Sequence, residues 1–267
     1  MEDRVRLGGM ALVNGVLVHG PSSWACAVRT EDGELKVASD YKRFRAADVR
    51  NPLLRGPARI AETFALLPQV RRRLPEARLP FQRPQVLGAM AGTAVFVRLV
   101  KDSARLSPLA RELVGGLLSL APAALAVRDS ELAAYHGAEH ISIGTYEHGE
   151  PRAREHERCG SHLLGPLVAS SALGATLASL APSHLRVPAR VTAQLGAVAA
   201  STELFGWMTR NPDHRLSRAL ARPGHELQHR FATAEPTPEQ LEVAEAALAA
   251  CLELEQKAHA ANAADAD

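Results

Sequence analysis

The sequence predicts a mainly α-helical protein: a multi-span bundle of about four apolar helices, with a small N-terminal β subdomain and a C-terminal amphipathic helix. Three observations predict it. After Pro84 the chain turns to long stretches with few charges, and Cys159–Leu185 holds no Asp, Glu, Lys or Arg. Residues 8–38 read instead as short β-prone runs broken by turn dipeptides. Near the C-terminus Leu241, Ala244, Leu248 and Leu252 recur at helical spacing.

The bulk numbers bound the function. At 267 residues the chain has room for one or two domains and an ample core. With 31 basic and 29 acidic residues the formal charge is +2, so no global field draws nucleic acid. The three cysteines, Cys26, Cys159 and Cys251, are scattered and odd in number, which fits a reducing compartment and no disulfide framework. The opening MEDRVRLGG has no apolar core, so no cleavable signal peptide is expected.

In order, residues 1–48 form the β subdomain. Met10–Val18 is one apolar run with a break at Gly15, Trp24–Thr30 a second, and Leu35–Val37 a third, joined to the second across Asp32-Gly33. About three strands result, too few to stand without a packing partner. Residues 49–84 are rich in arginine. They read as a solvated face or a juxtamembrane segment near anionic lipid, because Phe64 and Phe81 are the only aromatics there to stack bases. Residues 85–232 carry the apolar segments Val86–Val97, Leu113–Val127, Cys159–Leu185 and Val191–Met208. A span needs about 20 mostly apolar residues. These segments are rich in Ala, Gly and Ser, which suits close helix packing in a bilayer or in a soluble bundle; the mean hydropathy of −0.09 leans to the latter. Residues 233–256 form the last helix: Thr237 caps it, Pro238 sits at its first position and Gln240 completes a capping box. Residues 257–267 are expected to be a disordered tail.

One motif carries chemistry. In Ala133–Tyr146, His136-Gly137-Ala138-Glu139-His140 is the inverted zincin pattern His-x-x-Glu-His. Positions i and i+4 share a helix face, so both imidazoles can address one ion, with Glu139 as a ligand or as the base for a water. Ser130 is a candidate N-cap for that helix. With 11 histidines in the chain, a chance match competes with this reading. Zinc, or another divalent metal, takes three protein ligands plus a water in catalytic sites. The further candidates are Glu147, His156, Cys159 and Glu203, with an inert buried thiol the alternative for Cys159 and pairing with Arg210 the alternative for Glu203. His225 and His229 repeat the i, i+4 spacing but read as exposed residues of an arginine-rich helix.

The blocks Gly8–Pro21, Tyr135–His140, Tyr146-Glu147, His156–Gly160 and Arg222–Gly224, followed by Leu227-Gln228, Thr233–Pro236 and Gln240–Ala244, run in the order of a known family. On them the chain resembles the YqhQ-like family, uncharacterised and described as predicted metal-dependent bacterial membrane proteins. Two positions depart from its opening: Asn14 stands where an acid is usual and His19 where a base is usual. The resemblance implies a multi-span membrane protein with a metal centre and supplies no substrate. Loop charges then put both termini and the motif on the cytoplasmic side of the cell membrane. The expected function is a metal-dependent membrane hydrolase, most simply a zinc peptidase acting on a peptide or membrane protein with Glu139 as base. The alternative is a non-catalytic membrane scaffold with a structural metal or a buried polar cluster. The lipid bilayer is the expected partner in both.

Overall fold

The Asn14-Gly15 dipeptide folds the first apolar run back on itself. In the computed structural model, which describes residues 4–82, 84–119, 121–127 and 131–264, β1 (Gly8–Leu12) and β2 (Gly15–His19) form a hairpin where one strand is expected. With β3 (Ser23–Arg29) and β4 (Leu35–Tyr41) they make a four-stranded antiparallel meander in chain order. Asn-Gly between apolar runs is a strong hairpin signal, and it explains the extra strand. The Asn14 amide also donates to Arg29 O at 3.0 Å and Glu76 O at 3.1 Å, while its Oδ1 accepts from Arg78 N at 2.9 Å. A carboxylate at this position could not do both. Gly33, at φ +81°, makes the β3–β4 turn.

Both faces of the sheet are buried. Leu17, Trp24, Cys26 and Val28 pack on Leu66, Leu67 and Val70 of helix α1 (Pro52–Arg73). Val16, Val18, Ala25 and Ala27 pack on the other side, against helices α5 (Glu131–His148) and α9 (Pro238–Ala264). Two-sided burial is why Trp24–Thr30 alternates so poorly in sequence. A buried carboxylate locks α9 to the sheet: Glu255 accepts from the amides of Ser22 and Ser23 at 2.9 and 2.7 Å and from both their hydroxyls at 2.9 and 2.7 Å. Gly20 is required there, since a Cβ would lie 2.5 Å from Glu255 Oε1.

The remaining helices form the bundle: α2 (Pro84–Asp102), α3 (Pro108–Ser119), α4 (Ala121–Val127), α6 (Leu164–Ser179), α7 (Arg186–Arg210) and α8 (Arg215–Leu227). Helices α6 and α7 pack along each other as an antiparallel hairpin, and α1 packs on α7, where Gly56 makes room for the Thr202 side chain.

Two expectations change. Among the described residues one helical stretch, Gly160–Ser179, is long and apolar enough to cross a membrane, not about four; 17 % of its window is buried. Helix α2 ends in Arg98, Lys101 and Asp102, and α7 carries Arg186, Arg190, Glu203 and Arg210, so charge disqualifies them. The supposed disordered tail also continues α9 as far as Ala264. The candidate cap Ser130 lies outside the described residues.

Replacing Glu255 with Ala leaves two amides and two hydroxyls buried without their acceptor. Destabilisation of about 3 kcal/mol or more is expected, read as a lowered denaturation midpoint.

Candidate metal centre

Helix α5 lies against β1 and α9, and its histidine face is closed by two chain segments: the strap from Gly149 to Leu163 and a π-helical turn, Gln228–Ala232. Each segment gives one carbonyl to one histidine. His136 Nδ1–H donates to Ala232 O at 2.8 Å, and His140 Nδ1–H donates to Arg154 O at 2.6 Å. A carbonyl can only accept, so both rings carry their proton on Nδ1 and keep the Nε2 lone pair free. This is the outer support that metal-ligating histidines typically have.

Both Nε2 atoms turn to the same place. The ring centroids are 4.3 Å apart, and Glu139 Oε2 is 3.9 Å from each Nε2. Cys159, at the start of the 3-10 turn Gly160–Leu163, brings its sulfur 3.6 Å from His136 Nε2. The donor atoms of His136, His140 and Cys159 all lie within 4.8 Å of one another. For tetrahedral zinc with Zn–N of about 2.05 Å and Zn–S of about 2.3 Å, an N–S edge is about 3.5 Å. The sulfur–nitrogen pair therefore already has the right separation, and two imidazoles plus a thiolate suit zinc chemically. The residues present fit a metal ion.

Glu139 is 7 % exposed and sits beneath β1, where a Cβ on Gly9 would lie 2.2 Å from its Oε1. Burial pushes its carboxyl above the ordinary carboxylate value, opposed by His136 and His156. Burial likewise lowers His140, which keeps the ring neutral and able to ligate.

The other candidates have other partners, although the His156 ring lies 5.5 Å from that of His140. His156 Nε2–H donates to Glu147 Oε2 at 3.1 Å, and Glu147 is also paired with Arg158, so this histidine and this carboxylate engage each other. Burial pushes the Glu147 carboxyl up, but the His156 hydrogen bond and the Arg158 cation outweigh it and hold it below its usual range. Glu203, on α7, forms a two-pronged ion pair with Arg55 of α1, through Arg55 Nε at 2.6 Å and a second nitrogen, and does not join the cluster.

Several supporting residues escaped the sequence reading as parts of the site. Gln228 is fully buried; its Oε1 accepts from His156 N at 2.8 Å and its Nε2 donates to His156 O at 3.2 Å and Ser161 Oγ at 2.7 Å, which fixes the strap that carries Cys159. Arg154 adds a hydrogen bond to Thr233 O at 2.9 Å. Gly137 lets the 228–234 segment approach α5: a Cβ there would lie 2.2 Å from Ala234 O. A strand Gly-Gly pair and a Gly between the motif residues are signals of close backbone approach.

Purified protein is expected to hold one zinc ion, and Cys159→Ala to lose it, read by elemental analysis. Gly137→Ala, which touches no ligand, should weaken zinc binding roughly 10–100-fold in chelator competition by shifting the carbonyl clamp.

No curated protein and no solved structure matches the chain. Residues 128–254, a stretch that holds every donor side chain of the cluster, match the model of the family described as protein of unknown function (DUF1385), a match consistent with the YqhQ-like resemblance.

Proposed function

We propose that the protein is a metal-dependent hydrolase held at a membrane, with zinc as the ion and Glu139 as the group that handles the proton. One observation carries the reading. Two imidazoles, each anchored through Nδ1–H to a backbone carbonyl, direct both free nitrogens at one thiol beside a buried carboxylate. Bound zinc would supply Lewis acidity and bring the pKa of a water it holds down to about 7. Glu139 Oε2, equidistant from the two nitrogens, would be the group that holds and releases a proton beside the ion. Burial raises its proton affinity, in the direction that suits a group that must hold a proton as well as take one. The pattern favours an amide bond as the target, in a peptide or a membrane protein.

A second reading rests on the burial of Glu139. As a fourth ligand it would close the shell, and a closed shell marks a structural site. The protein would then be a non-catalytic membrane scaffold.

The membrane part rests on exposed apolar surface. Leu173, Leu177 and Leu180 at the α6 end, Val187, Val191 and Leu195 on α7, and Val95, Phe96 and Leu99 on α2 stand out from the bundle. Exposed apolar residues grouped on neighbouring helices mark a surface for protein or membrane contact. We read it as lying in or against the bilayer, the α6–α7 hairpin entering from the cytoplasmic side, where its basic ends Arg158 and Arg210 remain.

Glu139→Gln should keep its zinc and cut hydrolysis of a fluorogenic peptide library by about 100-fold or more. Unchanged turnover would remove the hydrolase reading, and loss of zinc in that variant would favour the closed shell. Alkaline carbonate washing should leave the full chain in the membrane pellet; release into the supernatant would remove the bilayer.

A further inference from the structure

A second polar site lies at the sheet-side end of the α6–α7 hairpin. It is a cleft of about 550 Å³ between the ends of β1 and β2, helix α1 and the last turns of α7. Five arginines line it, Arg6, Arg55, Arg59, Arg158 and Arg210, against two glutamates, Glu62 and Glu203. Both glutamates are already engaged. Glu203 is paired with Arg55, and Glu62 accepts from Lys42 Nζ at 2.8 Å and from Ala46 N at 2.7 Å. Arg158 is taken by Glu147, outside the cleft. Arg6, Arg59 and Arg210 make no ion pair among the described residues, so three positive charges in excess face one cavity.

The back wall is built to donate as well. Lys42, whose side chain is 1 % exposed, donates its second hydrogen bond to His19 Nδ1 at 3.0 Å. An ammonium group can only donate, so His19 is held with its proton on Nε2. Burial, then the Lys42 charge, hold His19 at a pKa of about 3, and the ring stays neutral. Gly8, also in the wall, lacks the Cβ that would stand 2.8 Å from Nε2. The hydroxyls of Thr63, Thr202 and Thr209 line the cleft too, but each donates its proton to a carbonyl of its own helix, so the guanidinium groups and the ring N–H are the donors it offers. A cavity that presents guanidinium groups and N–H donors, with its carboxylates neutralised by internal partners, selects an anion with several acceptor oxygens. Phosphate meets that demand better than a lone carboxylate, because several arginine forks can share it.

We infer that this cleft, lined by Arg6, Arg59, Arg210 and His19, binds a phosphate group, carried by a phospholipid headgroup or by a small soluble phosphate. The headgroup source follows from position: Leu163 before α6 and Phe205 near the end of α7 both line the cleft, so it opens where the apolar hairpin emerges. That source rests on the membrane reading above, and the soluble source does not. The site is separate from the metal centre, with Arg158, next to Cys159, between them.

The test uses the purified full chain in two arms: calorimetric titration with inorganic pyrophosphate, and flotation with phosphatidylcholine vesicles with or without phosphatidic acid. Arg59 and Arg210 are exposed, so Arg59→Gln/Arg210→Gln should fold; Arg105→Gln, an exposed arginine away from the cleft, controls for the loss of a surface arginine elsewhere. The double variant should weaken pyrophosphate binding about tenfold or more if the ligand is soluble, or abolish the gain from phosphatidic acid if it is a headgroup, with Arg105→Gln unchanged. His136→Ala should leave binding intact. Double variant and control behaving alike in both arms, no binding by the native chain in either, or loss of binding in His136→Ala would each overturn the assignment.

Discussion

Two backbone carbonyls govern the site. Ala232 O and Arg154 O each take the Nδ1 proton of one histidine, and that choice of proton position frees both Nε2 atoms for an ion. Neither carbonyl is free by accident. Ala232 ends a π-helical turn, where the irregular backbone leaves carbonyls without a regular helical partner, and Arg154 lies in an open strap. Both segments need their own support. The buried Gln228 amide joins them, and Arg154 spans back to Thr233. An amide suits the first task because it donates and accepts at once.

The sheet is the platform beneath. Its meander is buried on both faces, so α5 and α9 cannot shift without exposing one side of the core. That rigidity passes to the site through Gly9, whose missing side chain gives room to the Glu139 carboxylate, and through the Ser22, Ser23 and Glu255 network that fixes α9. A carboxyl group that is buried, raised in proton affinity and held between two free ring nitrogens has its charge set by its surroundings rather than by solvent.

Electrostatics divides the molecule. The apolar flanks of α2, α6 and α7 carry few ionised groups, and basic residues gather at both ends: Lys101, Arg111 and Arg190 at the far end and five arginines where the helices meet the sheet. Two of the five pair with acids, Arg55 with Glu203 and Arg158 with Glu147. The few that do not share a cleft with a histidine whose proton position a buried lysine dictates. The histidine–cysteine cluster and the cleft thus use one device, an imidazole whose second nitrogen is committed, with opposite results: a free lone pair in one and an N–H in the other.

Helix periodicity and residue chemistry were enough to put His136, Glu139 and His140 on one face of one helix, because spacing along a helix is a local property. Composition likewise separated a β-prone start from a helical remainder and marked Cys159–Leu185 as the most apolar stretch. The Asn14-Gly15 turn was readable too, but the apolar run around it masked it. Which of four further candidates stands beside the histidines was not readable. Glu147, His156, Cys159 and Glu203 are equally plausible donors by type, and the outcome depends on what competes for each. Arg55 and Arg158 draw off the two carboxylates and Glu147 draws off His156, which leaves the thiol at the site. Those competitors come from distant parts of the chain. Only the packing of α1 on α7, and of the strap on α5, brings them within reach, and long-range packing leaves no periodic trace in the order of residues.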